Sequence, residues 1–186
     1  VEFGVSHSRF AHAIPFGEAI ETRLGLGTKN LGWHGNAILV KREVEITGYE
    51  ALDLPMLEPR GAVLAELVVR GQELRVVGMH LDLSGLWRRR QVMRILDHIA
   101  RRHRPMPTVV MGDSNEWSKG GGVLREFAPN YRIADTGFSF HARRPVAALD
   151  RIIVEKTLTI AACGVHHSVA ASQASDHLPV WAKLSA

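Results

Sequence analysis

The sequence predicts an α/β sandwich, and three observations carry that prediction. Short, strongly apolar runs recur along the chain, and one long amphipathic helix is set between two of them. No repeat, low-complexity tract or linker divides the sequence, so its apolar faces have one another as partners.

Residues 1–34 are rich in Gly and His, show no steady period and read as loop, most plainly in "GLGTKNLGWHGN". The first convincing strand is Ala37–Lys41, "AILVK". Glu58-Pro59-Arg60-Gly61 then breaks the chain before two β-rich runs, "AVLAELVVR" and "ELRVVGMH". The short link Gly71-Gln72 between them reads as a hairpin. Leu86–Arg102 is the helix, with Val92, Ile95, Leu96 and Ile99 at three-to-four-residue spacing and most of the arginines elsewhere. Pro105 and Pro107 end it. "TVVMG" is wholly apolar and suits a sheet covered on both faces. "GGVLREFA" reads as a short helix, "LDRIIVE" and "LTIAACGV" as two more strands, and "LPVWAKL" alternates as the last.

The totals bound the class. At 186 residues the chain is a single domain spanning 1–186, with 46% apolar and 23% charged residues, as in ordinary globular proteins. No run approaches the roughly 18 apolar residues of a membrane span, and no signal-like segment opens the chain, which favours a cytoplasmic setting. Cys163 is the sole cysteine, so no internal disulfide forms, and its apolar neighbours predict a small buried hydrophobe. A net charge of +4 suits anionic partners such as phosphates but does not by itself identify one. Nothing in the sequence speaks to oligomeric state.

Conspicuous polar groups stand at the ends of four strands. "RVVGM" runs into His80 and Asp82, and "TVVM" into Gly112-Asp113-Ser114-Asn115. Asp150-Arg151 heads "IIV", and Asp176-His177 heads "LPVW". Taken singly, each has an ordinary structural use. Asp113 and Asn115 suit an Asx turn, Asp150-Arg151 a surface ion pair, and His80 a hydrogen-bonded core histidine. Taken together they are harder to bury without pairing or a metal, and facing sheets would bring them to one rim.

Other chemistries lack their residues. There is no G-x-S-x-G elbow, no H-E-x-x-H or C-x-x-C, and no glycine-rich nucleotide cradle of either common type. Gly120-Gly121-Gly122 could cradle phosphate but reads better as a turn, and His166-His167 as a solvated turn. What remains is oxygen-ligand metal chemistry with histidine, a toolkit for hydrolysing phosphate esters.

"GMHLDLSGLWRRRQ", "VVMGDSNEW", "ALDRIIV" and "ASDHLPVWAKL", in this order, resemble the endonuclease/exonuclease/phosphatase (DNase I-like) superfamily, and most closely its small bacterial hydrolases. "GNAILVKREV" and "EPRGAVLAEL" are similar to its middle strands. The resemblance implies a four-layer α/β sandwich, two packed mixed sheets flanked by helices, and Mg²⁺- or Mn²⁺-assisted attack of water on a phosphoester. It implies His177 as general base, Asp150 as the acid that orients it, and Asp176 as a metal carboxylate. It further implies Asp113 as the acid that binds metal or positions water, Asn115 as the amide that steadies a phosphoryl oxygen, and His80 as a contact to the phosphate or leaving group.

Two departures accompany the resemblance. Ser114 stands where the family usually has a bulky apolar residue, which is a change of packing. The family also opens with a strand ending in a metal-site Asn and another ending in a metal-binding Glu, and residues 1–34 match neither. With Val1 in place of a start methionine, the expectation is that roughly 40 residues of strand–helix–strand precede this chain. It follows that this chain alone is a weak or inactive enzyme, with a truncated phosphate- or partner-binding domain as the alternative. The substrate stays open among nucleic acids, inositol phosphates, phospholipids and small nucleotides. Arg88, Arg89, Arg90, Arg94, Arg101 and Arg102 could touch nucleic acid but read better as a solvated helix face, and Trp117 either stacks a base or sugar or caps the core.

Overall fold

A computed structural model describes residues 2–5, 19–21, 36–55 and 60–185 of the chain, the first two stretches as backbone only. In chain order the elements are β1 (Glu2–Val5), β2 (Ala19–Glu21), β3 (Ala37–Leu39), β4 (Glu45–Asp53), β5 (Gly61–Val69) and β6 (Gln72–His80). There follow α1 (Gly85–Ala100), β7 (Thr108–Asp113), a 3-10 turn (Gly122–Phe127), β8 (Tyr131–Ile133), β9 (Asp150–Glu155), β10 (Thr159–Val165), α2 (Val169–Ala174) and β11 (Val180–Ser185).

The larger sheet runs β4-β5-β6-β7-β9-β8. It is mixed, because β6 and β7 are parallel across the α1 crossover while its other neighbours are antiparallel. A second, antiparallel sheet runs β1-β11-β10, and β2 pairs with β3. The central strands are apolar on both faces, and their two-residue period sorts the core into two layers. Val63, Ala65, Leu74, Val76, Val109, Ile152 and Val154 face β11 through Val180, Ala182 and Leu184. Ala62, Leu64, Val77, Met79, Val110 and Ile153 face α1 and the 3-10 turn through Val92, Ile95, Val123, Leu124 and Phe127. Ile152 and Ile153 are both fully buried on opposite faces of β9, and truncating either to Ala removes about 3 kcal/mol. The α/β sandwich expected from the strand pattern is therefore the fold of this chain.

The elements differ from expectation where local pattern gives way to tertiary pairing. Residues 2–5 and 19–21, read as loop, pair as strands against β11 and β3. The rest of residues 1–34 and the break at Glu58-Pro59 lie outside the described residues. The hairpin turns on Arg70-Gly71, because Val69 pairs with Gln72, already in β6. Both turn residues have positive φ (52° and 79°), as the twist of a two-residue hairpin demands. The predicted short helix over "GGVLREFA" is a 3-10 turn. The strands β4 and β8 and the short α2 carry no clear periodic signal. Cys163 is half-buried rather than buried, its Sγ 3.4 Å from the Asp135 carbonyl oxygen, and burial pushes its thiol pKa up. Among the described residues no helix is long and apolar enough to cross a membrane.

Candidate active site

The parity that sorts the core also builds the site. His80 ends β6, Asp113 ends β7 and Asp150 opens β9, and the pairing sets them in one row: His80 opposite Asp113, Asp113 opposite Asp150. Each shares the parity of the residues packed between the two sheets, so the row continues the inter-sheet layer to its rim. His177 comes from the other side, three residues before β11. One sheet supplies the carboxylates and the segment leading into the other supplies the imidazole.

Gly112 makes the row possible. Its φ is +143°, and a Cβ there would lie 1.8 Å from the Met79 carbonyl oxygen. Beyond it Asp113 serves two purposes. Its Oδ1 accepts the Asn115 N–H at 2.8 Å, the Asx turn that the sequence suggested. Its Oδ2 faces the His80 Nε2 at 3.4 Å and the His177 Nε2 at 4.0 Å. Asn115 adopts a left-handed φ of 48°, and its Nδ2 donates to the Leu81 carbonyl at 2.8 Å, joining the β6 and β7 exits. Ser114, fully buried, donates its hydroxyl to the Leu149 carbonyl at 2.8 Å, so the polar substitution is satisfied.

Asp150 Oδ2 lies 2.8 Å from the His177 Nδ1 and accepts the Ser139 hydroxyl at 2.5 Å. An ionised carboxylate only accepts, so Nδ1 carries the proton and Nε2 points towards Asp113. Asp150 is 1% exposed and His177 8%. Burial works to lower the His177 pKa, but the hydrogen bond and charge of Asp150, with Asp113 and Asp176 beyond, outweigh it and hold the pKa above its ordinary value. The Phe140 ring packs on the imidazole at 4.9 Å, and Trp117 meets Phe140 edge-on at 6.0 Å.

The structure thus brings together Asp113, Asp150 and His177, whose ligand-type atoms lie within 4.8 Å of one another, with His80 and Asn115 adjoining. Asp176 is not one of these three: it is exposed at their edge, its Oδ1 3.5 Å from the Ser175 hydroxyl, and its charge still acts on His177. The donor set is hard oxygen, two carboxylates beside an imidazole, which fits a Mg²⁺-like ion better than a soft metal.

Three contributors escaped the sequence reading. Ser139 lies in an aperiodic loop, and only the fold reveals its bond to Asp150. Arg60 places its Nη1 within 2.6 Å of the His80 Nε2, bringing a guanidinium to the row. Glu116, 7% exposed, accepts the Ser118 and Val123 N–H groups at 3.0 and 3.3 Å and pairs with Arg88 at 3.4 Å. Burial raises its pKa, but these donors outweigh it and hold the carboxyl below its usual range. The glycine run wraps this carboxylate and not a phosphate: a Cβ on Gly122 would come 2.2 Å from the Glu116 Oε2.

The helix arginines are largely answered by the chain's own acids. Arg89 pairs with Glu126, Arg101 with Asp97 and Arg102 with Glu50, each within 2.9 Å. His166 and His167 are exposed, as a solvated turn would be.

Comparison with known proteins bears on the family and the fold. The chain matches the model of the Endonuclease/Exonuclease/phosphatase family over residues 7–177. Nothing among curated proteins matches it. Among solved structures, an endonuclease/exonuclease/phosphatase from Bacteroides vulgatus superposes with a TM-score of 0.74 at 18% identity, over 90% of this chain and 76% of that one. The human Nocturnin catalytic domain with bound sulfate gives 0.73 at 17% identity, over 90% and 72%. A mannosyl-6-phosphatase from Bacteroides thetaiotaomicron gives 0.71 at 16% identity, over 90% and 77%. At these identities the likeness is one of fold.

Proposed function

Since the chain belongs to the endonuclease/exonuclease/phosphatase family, we propose that it is a divalent-metal-dependent phosphoester hydrolase with His177 as its general base. The observation that carries this reading is the buried Asp150–His177 pair, which presents Nε2 towards Asp113. Asp150 holds the imidazole in the tautomer that can accept a proton, and Ser139 holds Asp150. Nε2 takes a proton from water as that water attacks phosphorus, and the water's oxygen forms the new P–O bond while the ester oxygen departs. Asp113 orients the water from the opposite side. Asn115 keeps a second amide hydrogen for a phosphoryl oxygen, because only one is directed at Leu81. His80 and the Arg60 guanidinium bring hydrogen-bond donors and positive charge to the same oxygens.

Asp113, with Asp176 from the adjoining turn, would hold Mg²⁺ or Mn²⁺. That ion would polarise the phosphoryl oxygen as a Lewis acid. The proteins of like fold include a mannosyl-6-phosphatase, which supports phosphoesters as the substrate class.

The test is release of nitrophenolate from bis(p-nitrophenyl) phosphate and p-nitrophenyl phosphate with Mg²⁺, Mn²⁺ or EDTA. The expected result for this chain alone is slow turnover that EDTA abolishes, added metal restores and the His177→Gln variant lacks. Equal turnover by that variant would remove His177 from the chemistry. Phosphate binding without turnover would assign the chain to the non-catalytic alternative.

A further inference from the structure

We infer that the indole of Trp117 is a stacking platform for a planar, nucleobase-like group of the substrate. This rests on the phosphoester reading of the adjoining site and narrows it to nucleotide-type esters. Trp117 is 63% exposed, yet buried side chains hold the loop on either side of it. On one side the buried Glu116 is fixed by Arg88 and by the Val123 N–H, and it accepts the Ser118 N–H across the tryptophan. On the other side Arg151, 6% exposed, directs its Nη2 at the Ser118 carbonyl oxygen, 3.4 Å away. Two buried ionised side chains therefore define the backbone around a ring that contributes little burial of its own. Such charges are unfavourable to bury unless the geometry they impose is used.

The ring's position fits that use. The indole stays 63% exposed while meeting Phe140 in a T-shaped contact, and Phe140 is itself the ring packed on His177. Trp117 is thus linked to the imidazole through one intervening ring, so a group stacked on it would belong to a substrate whose phosphate reaches His177. A planar base stacks its whole ring on an exposed indole, whereas a saturated sugar or an acyl chain meets it over less area.

The test is a set of fluorescence and calorimetric titrations in the His177→Gln background with Mg²⁺ present. The probes are adenosine 5′-monophosphate, glucose 6-phosphate, inorganic phosphate and adenosine. The nucleotide is expected to bind about tenfold more tightly than the hexose phosphate, the size of one base–aromatic stack. Trp117→Ala should erase that advantage while leaving the affinity for inorganic phosphate unchanged, and Trp117→Phe should keep most of it. Melting curves check that each variant is folded. Equal affinity for the two esters in both proteins overturns the inference. So does a Trp117-dependent preference for the hexose phosphate, which assigns the ring to sugars. Binding to phosphatidylglycerol vesicles with a blue shift at Trp117 and no nucleotide preference assigns it to a lipid surface and also overturns it. If inorganic phosphate fails to bind, the phosphoester reading falls, while quenching of Trp117 by adenosine still decides the role of the ring.

Discussion

Two buried acidic clusters stand three residues apart on β7 and its exit loop, and they are built on opposite plans. Around Glu116 the carboxylate is answered locally by Arg88 and two backbone N–H groups, and its pKa falls. Around Asp113 and Asp150 two carboxylates converge on one imidazole and raise its pKa. A carboxylate matched by fixed donors belongs to the scaffold. A pair of carboxylates concentrated on a titratable ring is a place where a proton or a cation can be exchanged. One acid of each cluster, Asp113 and Glu116, lies within the single run "GDSNEW", so the difference lies in what the fold brings to each.

That contrast can be broken by experiment. The largest effect is expected from His177→Gln, which keeps a side-chain donor for Asp150 but removes the base. Turnover should fall about 1000-fold while the melting temperature stays near that of the parent. Glu116→Ala should do the reverse: stability in urea falls by about 3 kcal/mol, and turnover of a small ester by the folded fraction falls far less than in the His177 variant. If Glu116→Ala instead destroys activity without loss of stability, the two clusters are one.

Gly122→Ala should destabilise by about 2 kcal/mol, because its Cβ would meet the Glu116 carboxylate and its φ is +54°. In the Glu116→Ala background part of that penalty should vanish, and a double-mutant cycle measures how much of it is the collision. The smallest effect concerns pH in the metal-free protein. The folded His177 pKa is raised, so the stability it contributes is full below its unfolded value of about 6.5 and is lost as pH rises through the folded value. With EDTA present, the stability difference between the parent and His177→Gln should therefore shrink from pH 6 to alkaline pH in urea titrations.

Strands β5, β6, β7 and β9 were legible because both their faces are covered, which demands unbroken apolar runs. β4 was not, because it is an edge strand whose exposed positions carry Glu45, Thr47 and Asp53 and whose half-covered ones include Gly48 and Glu50. α2 is a single Ala- and Ser-rich stretch capped by the Ser168 hydroxyl, with too few residues to show a period. Among the site residues, His80, Asp113, Asn115, Asp150 and His177 stood out because polar groups at the ends of apolar strands are conspicuous. Ser139 and Arg60 act through contacts with residues 11 and 20 positions away, and no local pattern encodes such distances. Asp176 has the right letter beside His177, yet its side chain is exposed while that of His177 is buried.

The division of the site between two sheets makes the Asp150–His177 distance a gauge of the core. Val180, Ala182 and Leu184 set how far β11 stands from the strands that carry Asp113 and Asp150. Any residue that thickens or thins that layer moves the acid and the base relative to each other without touching either. Changes of substrate or rate can therefore enter through the interior of this protein, at positions that no inspection of its surface would mark.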